Sequence, residues 1–503
     1  MNIADWIEKW ARATPGKTAI RFEGGEMTYP QFNDEIKASA RMLRNKLDIR
    51  PLDRIAYLGQ NHPQLLALIF ACARLGAICV PLNWRLAPQE HLRMLQDCGA
   101  KVLFVDTPYI KQCQQFSDTL PDCRYVAMGK DEAISWPQLG DLLQAAQGED
   151  RYPDIDLDSP LLIIYTSGTT GFPKGAVLKQ EAVQWNACNS VLLHDMTSRD
   201  LILTMLPLFH VGGLNVQTMT ALYVGATVIL QRIFEPQQVL DTLIHDKPTL
   251  TILLPAHMQA LRSLPDWEAA DLSNLRAVLT GSSFIPHDMV RYWHGRNIPL
   301  LNMYGASETG PVAIHQTISN AFATPGSAGF PAMHCDIRIV DLSGEDCDVD
   351  EPGEIIVRGK NVMSHYWNNE GATQHALEGG WFHTGDIGYA DRNGCHHIVD
   401  RLKDMIISGG ENIYPTELEN VLMEHPDVLE AAVIGRPDSH WGEVPVAVVV
   451  AKPGRHLEKE EVLAWFNGKL GRYKHPKDVV FVDALPRNEM RKVVKQVLRN
   501  MVM

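Results

Sequence analysis

Residues 165–175 read Tyr-Thr-Ser-Gly-Thr-Thr-Gly-Phe-Pro-Lys-Gly, and they follow the apolar run Leu-Leu-Ile-Ile at positions 161–164. A short apolar run before a segment rich in glycine and hydroxyl groups predicts a buried strand that leads into a loop. Glycines let backbone N–H groups approach an anion, Ser and Thr hydroxyls donate further hydrogen bonds, and Lys174 adds a positive charge. The stretch therefore predicts a phosphate-binding loop, although alone it is equally typical of a surface loop without a ligand.

This loop differs from a Walker A motif, which requires Gly-Lys followed by Ser or Thr. Here Lys174 follows Pro173 and precedes Gly175. The sequence therefore disfavours a P-loop NTPase fold.

Five further blocks follow in order along the chain. They read Asn302-Met-Tyr-Gly-Ala-Ser-Glu308-Thr309, Trp381-Phe-His-Thr-Gly-Asp386, Asp400-Arg-Leu-Lys-Asp404, Ser408-Gly-Gly-Glu-Asn-Ile-Tyr-Pro415, and Leu485-Pro-Arg-Asn488 followed by Lys492. Together with the loop, these blocks resemble the adenylate-forming superfamily, and within it the AMP-dependent acyl-CoA synthetases, that is, fatty-acid or aryl-CoA ligases. The resemblance implies an α/β fold with a large N-terminal domain of parallel-rich sheets, a small β-barrel-like part and a small, mobile C-terminal α+β domain.

The length of 503 residues exceeds what one hydrophobic core usually serves, so at least two domains are expected. Short apolar runs alternate with amphipathic stretches, a pattern typical of strand–helix units and parallel sheets. Strands are predicted at 54–58, 77–80, 101–105, 201–204, 227–230, 251–254 and 277–280, and a helix is predicted at 64–74.

The pattern changes near residue 400, where a compact α+β module begins with a helix predicted at 415–423 and a strand at 428–434. We therefore expect a large domain over 1–400 and a small domain over 401–503. The charged junction at about 400–403 is short, which suits a hinge better than a loose linker.

Composition narrows the function classes. The formal net charge of -14 argues against a nucleic-acid partner, because phosphate backbones would be repelled. The nine cysteines stand singly, without a C-x-x-C pair, which indicates a reduced cytoplasmic protein. No apolar run approaches the roughly 20 residues that span a bilayer, so no transmembrane segment is predicted. A homodimer is compatible with the sequence.

The resemblance implies a reaction in two steps. A carboxylate attacks the α-phosphate of ATP to give an acyl-adenylate and pyrophosphate, and the thiol of coenzyme A then displaces AMP. The first step joins two anions, so Mg²⁺ and positive side chains must screen the phosphates. ATP, Mg²⁺, coenzyme A and a small carboxylic acid are the expected ligands.

The resemblance also assigns roles to single residues. The catalytic residues are Lys492, His210 and Glu308, and Thr166 and Glu308 hold Mg²⁺. Lys403 is the hinge residue, Tyr304 stacks on adenine, and Asp386 accepts hydrogen bonds from the ribose hydroxyls. The residues that bind ATP or coenzyme A are Thr166, Ser167, Gly168, Thr169, Thr170, Gly171, Lys174, Ser283, Asn302, Tyr304, Ser307, Asp386, Arg401, Gly409 and Gly410.

The acid pocket follows from the same resemblance. Its expected residues are Val211, Gly212, Gly213, Asn215, Gly281, Gly305, Ala306 and Val312. Relatives that activate amino acids have Phe-Asp where this chain has Phe209-His210, and a buried ammonium group without that counter-ion would be costly. An apolar acid is therefore expected, either a medium- or long-chain fatty acid, as in fatty acid metabolism, or a cinnamic- or benzoic-type acid. The small side chains at Gly212, Gly213 and Gly281 are expected to leave room for it.

Two alternatives remain beside the CoA ligase. The chain is compatible with a stand-alone adenylation enzyme that loads a separate carrier protein. Arg491 stands where the family usually has the glycine before the catalytic lysine, which motivates a second alternative, a nucleotide sensor without turnover.

Overall fold

The computed structural model describes residues 2–129, 134–166, 173–281, 285–409, 411–439, 441–487 and 493–502. The residues form two compact units. Unit 1 comprises Met1–Ile337 and Val357–His383, and unit 2 comprises Arg338–Ile356 and Thr384–Met503.

The strands, in chain order, are β1 (Thr18–Phe22), β2 (Gly25–Thr28), β3 (Arg54–Leu58), β4 (Ile78–Leu82), β5 (Val102–Val105), β6 (Arg124–Ala127), β7 (Pro160–Thr166), β8 (Lys174–Lys179), β9 (Leu201–Thr204), β10 (Thr227–Leu230), β11 (Leu250–Ile252), β12 (Ala277–Gly281), β13 (Leu300–Tyr304), β14 (Ile314–His315), β15 (Phe330–Pro331), β16 (Cys335–Val340), β17 (Gly353–Gly359), β18 (His365–Tyr366), β19 (Phe382–Ala390), β20 (His396–Arg401), β21 (Ile406–Ser408), β22 (Glu411–Ile413), β23 (Val428–Asp438), β24 (Gly442–Ala451) and β25 (Asp478–Phe481).

The α-helices are α1 (Ala4–Ala13), α2 (Tyr29–Asn45), α3 (Pro63–Leu75), α4 (Pro88–Cys98), α5 (Ile110–Gln114), α6 (Leu139–Gln144), α7 (Gln180–His194), α8 (Met219–Val224), α9 (Pro236–His245), α10 (Pro255–Arg262), α11 (His287–Gly295), α12 (Glu370–Ala376), α13 (Pro415–Met423), α14 (Lys459–Ala464) and α15 (Lys495–Val502). A π-helix spans Gly212–Thr218, and short 3₁₀ helices include Ser307–Thr309 and Leu402–Asp404.

Unit 1 contains two largely parallel sheets. In the described residues the first has nine strands in the order β15-β14-β13-β12-β11-β9-β10-β1-β2, and the second has seven in the order β18-β8-β7-β4-β3-β5-β6. The central pairs of both sheets are parallel, whereas antiparallel strands lie towards their edges. The strand–helix alternation of the sequence thus gives the expected parallel-rich architecture.

Successive residues of these strands are buried in different clusters. Ile202 belongs to a core cluster that also contains residues of α1, α2, α3 and α7, whereas Leu203 packs with α9, α10 and α11. Phe104 likewise joins the first cluster, and Leu103 joins a third cluster with α4 and α5. Both faces of each sheet are therefore covered, which explains why the strands read as continuous apolar runs.

Helix α3 shows why the local sequence folds as it does. Its residues are buried throughout, Pro63 begins it, and the side chain of His62 accepts a hydrogen bond from the backbone N–H of Gln64. The helix ends at Gly76, whose φ of 66° is a left-handed conformation that glycine adopts without strain. An apolar stretch with a start signal and a stop signal thus becomes a helix in the core.

Unit 2 contains the C-terminal α+β module. A sheet of five strands in the described residues has the order β22-β21-β24-β23, with β25 beside β24. Another sheet has four strands in the order β16-β17-β19-β20, and Gly394 in the turn between β19 and β20 has a φ of 79°. Residues 338–356 and 384–400 group with the C-terminal residues, so the predicted boundary and hinge at 400–403 stay predictions.

None of the helices in the described residues is both long enough and apolar enough to span a membrane.

Candidate active site

The predicted phosphate loop connects β7 to β8. These strands are antiparallel, and their last pair joins Thr166 to Lys174, so the loop begins and ends at neighbouring residues. The prediction that the loop follows a buried strand is confirmed. The predicted phosphate-binding residues Ser167, Gly168, Thr169, Thr170 and Gly171 lie outside the described residues, and so does Ser283.

Glu308 lies next to the start of this loop. It belongs to the short 3₁₀ helix after β13, its exposure is only 8 %, and its Oε1 lies 3.4 Å from Oγ1 of Thr166. The two residues assigned to Mg²⁺ by resemblance are thus adjacent, although 142 positions separate them in the chain.

Tyr366 is a residue of this site that sequence reasoning missed. Its hydroxyl donates a hydrogen bond of 2.8 Å to Oε1 of Glu308, and Nζ of Lys174 lies 5.2 Å from the centre of its ring. Burial, and next the Glu308 carboxylate, raise the pKa of Tyr366 above its usual value, so the hydroxyl stays a donor. No signal in the sequence pairs Tyr366 with Glu308, because the contact depends on β18 lying beside β8.

The ligand atoms at this site fit Mg²⁺. Mg²⁺ is a hard cation that prefers oxygen, and it commonly combines one or two carboxylates with phosphate oxygens. Thr166 offers a hydroxyl oxygen and Glu308 a carboxylate, consistent with that preference. Within the described part of the chain, no cluster of three or more His, Cys, Asp or Glu side chains could hold a metal. A cation here would therefore draw further ligands from phosphate oxygens.

Buried asparagines hold the segment that follows Glu308. Asn361 donates hydrogen bonds to the carbonyl oxygens of Thr309, at 2.6 Å, and Val312, at 3.2 Å. Asn186 accepts a hydrogen bond from the N–H of Val312 and donates one to the carbonyl of Asn215. Two buried amides thus fix Thr309 and Val312, directly beside Glu308.

The predicted acid-pocket residues near His210 lie in and before the π-helix. Nδ1 of His210 accepts a hydrogen bond of 3.1 Å from the N–H of Gly212. Val211 and Asn215 are buried, and Nδ2 of Asn215 donates to the carbonyl of Gly310 at 3.0 Å. The structure therefore brings Asn215 to the 309–312 segment, where Val312 also lies.

Two glycines of the predicted pocket have a different reason for being small. A Cβ atom on Gly213 would lie 2.4 Å from the carbonyl oxygen of Pro207, and one on Gly281 would lie 2.7 Å from that of Met303. Close approach of backbone to backbone explains both positions, so the expectation that they leave room for the acid is not supported by their packing. Their place in the acid pocket stays a prediction.

The parallel strands β12 and β13 carry the predicted adenine-site residues. Asn302 donates a hydrogen bond of 2.9 Å to the carbonyl of Ser327, and its side chain is half-buried. Tyr304 ends β13 and is also half-buried. Gly305 and Ala306 follow it, and Ser307 begins the 3₁₀ helix of Glu308. These residues share the carboxyl end of the sheet, where ligands of parallel α/β sheets bind.

Unit 2 places Asp386 and Arg401 opposite each other on β19 and β20. Nε of Arg401 lies 2.5 Å from Oδ1 of Asp386, whose side chain is 8 % exposed, whereas that of Arg401 is 51 % exposed. The two side chains that were predicted to bind the ribose and the phosphates thus form an ion pair, and the guanidinium of Arg401 is exposed to solvent.

The other predicted residues of unit 2 are only partly described. Lys403 is exposed in the 3₁₀ helix Leu402–Asp404, beside the buried Asp404, which forms an ion pair of 2.8 Å with Arg499. Gly409 has a φ of 61°, and a Cβ there would lie 2.7 Å from the ring of Trp441. Gly410 and Lys492 lie outside the described residues, as does Arg491.

Comparison with known proteins covers the whole chain. The family model "AMP-binding enzyme" matches residues 7–367, and the model "AMP-binding enzyme C-terminal domain" matches residues 417–492. An indoleacetate–CoA ligase from Aromatoleum aromaticum is 46% identical over 100% of this chain and 98% of its own. A feruloyl-CoA synthase from Amycolatopsis sp. is 40% identical over 99% and 98%.

The fold of the chain is also similar to that of a solved structure. The o-succinylbenzoate coenzyme A synthetase of Bacillus subtilis, in complex with ATP and magnesium ion, is 31% identical and matches with a TM-score of 0.86 over 98% of both chains. Sequence and fold agree along both units of the chain, and the protein is a member of the AMP-binding enzyme family.

Proposed function

We propose that this protein is an AMP-forming acid–thiol ligase that converts an aromatic carboxylic acid and coenzyme A into an aryl thioester at the expense of ATP. The observation that carries the proposal is the pairing of Glu308 with Thr166 at the mouth of the phosphate loop, in a chain whose full-length relatives are CoA ligases. Family membership supports the reaction class, and the same relatives favour an aromatic acid over a fatty acid.

Mg²⁺, held by Glu308 and Thr166, would neutralise charge on the phosphates of ATP. Tyr366 orients the Glu308 carboxylate, because its hydroxyl donates to one of the two carboxylate oxygens. Lys174 lies over the same tyrosine ring and adds positive charge beside the loop. The bound cation and Lys174 would lower the repulsion that the incoming carboxylate meets.

The remaining roles rest on the family resemblance. Lys492 would contact the carboxylate and the α-phosphate during adenylation, and Asp386 with Arg401 would bind the ribose and phosphates. Lys403 would serve as a hinge about which a mobile C-terminal domain turns. The turn would move Lys492 away and bring in Gly409 and Gly410, which would line a channel for the pantetheine arm of coenzyme A. Tyr304, Asn302 and Ser283 would contact the adenine, Ser307 would lie near the phosphates, and His210 would border the acid.

The acid is proposed to be uncharged apart from its carboxylate. Phe209, His210 and Val211 stand at the position that holds a carboxylate in relatives that activate amino acids, and Phe209 and Val211 are buried. An ammonium group there would have no counter-ion among these three residues, which disfavours amino-acid substrates.

An AMP-release assay with Mg²⁺, ATP and a panel of acids tests the proposal. Arylacetic and cinnamic-type acids should release AMP and pyrophosphate with coenzyme A, and medium- and long-chain fatty acids should react more slowly. Preference for fatty acids would overturn the assignment of an aromatic substrate but would leave the proposed reaction class unchanged. Release that needs a holo-carrier protein instead of coenzyme A would favour a carrier-loading enzyme, and no pyrophosphate with any acid would favour the sensor.

The state of the cysteines supports a reducing compartment. None of the nine, all of which the structure describes, forms a disulfide, and seven of them are buried. We infer a cytoplasmic location, which fractionation of the native cells checks.

The homodimer stays a prediction, and sedimentation of the purified protein decides between monomer and dimer.

A further inference from the structure

A small cavity lies at the carboxyl ends of β9 and β11, beside the π-helix. Its wall is formed by residues 203–206, by Gly213 and Gln217 of the π-helix, and by Ile252. It offers about 10 Å³ to a water-sized group, which is room for about one such group. The wall is largely apolar, so the polar atoms that reach it decide what can enter.

Gln217 is 2 % exposed, and its amide orientation is fixed by its neighbours. Nδ1 of His194 lies 2.8 Å from the carbonyl oxygen of Ser190, so Nδ1 carries the proton and donates. Nε2 of His194 is then an acceptor, and it lies 2.9 Å from Nε2 of Gln217. The amide nitrogen of Gln217 therefore donates to His194, and the carbonyl oxygen of the same amide does not take part in this contact.

That carbonyl oxygen, Oε1 of Gln217, is buried and has no hydrogen-bond partner among the described residues. The nearby hydroxyls do not satisfy it. Thr218 donates a hydrogen bond to the carbonyl of Gly213 at 2.7 Å, and Thr204 lies 3.0 Å from the Thr218 hydroxyl, to which it therefore donates. Buried acceptors without a donor are rare in folded proteins, so this one calls for a ligand group or a water.

We propose that Oε1 of Gln217 is a specificity-determining acceptor, which takes a hydrogen bond from an N–H or O–H group on the ring of the acid. The inference rests on the proposed function and narrows its substrate class. Gly213 belongs both to the cavity wall and to the predicted acid pocket, and the same π-helix begins two residues after His210. The cavity admits the donor tip of a ring system, such as an indole N–H or a phenolic O–H, and not a whole ring.

Pairs of acids that differ only in the donor test this inference. Indole-3-acetate and benzofuran-3-acetate differ by the ring N–H, and 4-hydroxyphenylacetate and 4-fluorophenylacetate differ by the phenolic O–H. The measured quantity is the ratio of kcat/KM for AMP release within each pair. We expect the donor acid to be preferred by about 10- to 100-fold in at least one pair, and which pair it is identifies the donor.

Two variants separate recognition from folding. Gln217→Met keeps the length of the side chain and removes the acceptor, so the ratio should fall to about 1 to 3. Gln231→Met is the matched control, because Gln231 is 4 % exposed and also has an unpartnered Oε1, but does not line the cavity. Its ratio should equal that of the wild type.

The outcomes are distinct. A wild-type ratio near 1 in both pairs, with turnover of aromatic acids, would mean that the cavity holds a water and would overturn the inference whether or not Gln217→Met folds. An unchanged ratio in a folded Gln217→Met would overturn it too. In both cases the proposed function stands, whereas absence of AMP release with every acid would overturn that function and the inference with it.

Discussion

Tyr366 and Glu308 show at the level of single residues how the site is prepared. A carboxylate that is only 8 % exposed is costly unless hydrogen bonds or a cation compensate it. The Tyr366 hydroxyl supplies one such hydrogen bond, and a bound cation would supply further compensation. Tyr366 is therefore a positioning residue for the proposed Mg²⁺ ligand.

Tyr366→Phe should raise the Mg²⁺ concentration needed for half-maximal pyrophosphate release by about tenfold, since a hydrogen bond to a charged group contributes about 1.5 kcal/mol or more. Because the pKa of Tyr366 is raised, the hydroxyl stays protonated, and the difference between variant and wild type should persist up to about pH 10. A magnesium titration at several pH values measures both effects.

Tyr292→Phe is the matched control, because Tyr292 also donates to a carboxylate, that of Glu268 at 2.9 Å, and belongs to α11 rather than to the segments that carry Thr166 and Glu308. Its magnesium requirement should match the wild type. An equal magnesium requirement in Tyr366→Phe and wild type would contradict the positioning role given to Tyr366.

His194 makes a prediction about pH and stability. Burial lowers its pKa to about 4, whereas an exposed histidine of the unfolded chain titrates near 6.5. The unfolded chain therefore binds the proton more readily, and the contribution of His194 to stability, present above pH 6.5, is lost as the pH falls from about 6.5 towards 4. Between about pH 7 and 5.5 the loss should be about 1 kcal/mol.

Urea unfolding of wild type and His194→Gln at both pH values measures this contribution as the difference in pH dependence. Identical pH dependence in wild type and His194→Gln would show that the folded state does not hold this histidine neutral.

At the scale of elements, the segment 309–312 depends on side chains from distant parts of the chain. Asn361 follows β17, Asn186 belongs to α7, and Asn215 belongs to the π-helix. Their amides bind the segment from three directions and thereby fix the position of Glu308 at its start.

Asn361→Leu should destabilise the protein by about 2 kcal/mol or more, because it leaves the buried carbonyl oxygen of Thr309 unpaired and removes one of the hydrogen bonds to the carbonyl oxygen of Val312. The magnesium requirement for pyrophosphate release should rise as well. Asn45→Leu is the control, since Asn45 also binds two backbone carbonyls but is exposed. Equal thermal midpoints in the two variants would contradict this account.

Much of the element pattern could be predicted from the sequence. Strands β3, β9 and β10 and helix α13 have the predicted bounds, because apolar periodicity and turn residues are local signals. The π-helix could not be predicted, since it depends on hydrogen bonds within a buried segment whose two glycines and alternating apolar and polar residues give no helix signal. The packing of Gly213 and Gly281 against backbone carbonyls was also missed, because a glycine in a sequence does not reveal its neighbours.

At the scale of the whole molecule, the family and the reaction class follow from blocks spread along the chain, whereas their spatial grouping does not. The pairing of Thr166 with Glu308 was implied only by resemblance, and the Tyr366 contact was not foreseen. Residues 338–356 group with the C-terminal unit although they precede the predicted boundary, because strand pairing joins residues far apart in sequence.

Replacement of Lys492 should affect the two half-reactions differently. Lys492→Ala should lower acid-dependent pyrophosphate release by about 100-fold or more, since it removes the cation proposed to bridge carboxylate and phosphate. Thioester formation from a supplied acyl-adenylate and coenzyme A should stay within a few-fold of wild type. Lys477→Ala, at an exposed position, is the control. Equal loss in both half-reactions would contradict the role given to Lys492.

The central claim is that the carboxylate of the acid attacks the α-phosphorus of ATP. An aromatic acid with both carboxylate oxygens replaced by ¹⁸O tests it most directly, because the bridging oxygen of the acyl-adenylate leaves with AMP when the thiol attacks the carbonyl carbon. Mass spectrometry of the products should find one ¹⁸O in AMP and the other in the thioester. Unlabelled AMP, or label in inorganic phosphate beside ADP, would contradict the account.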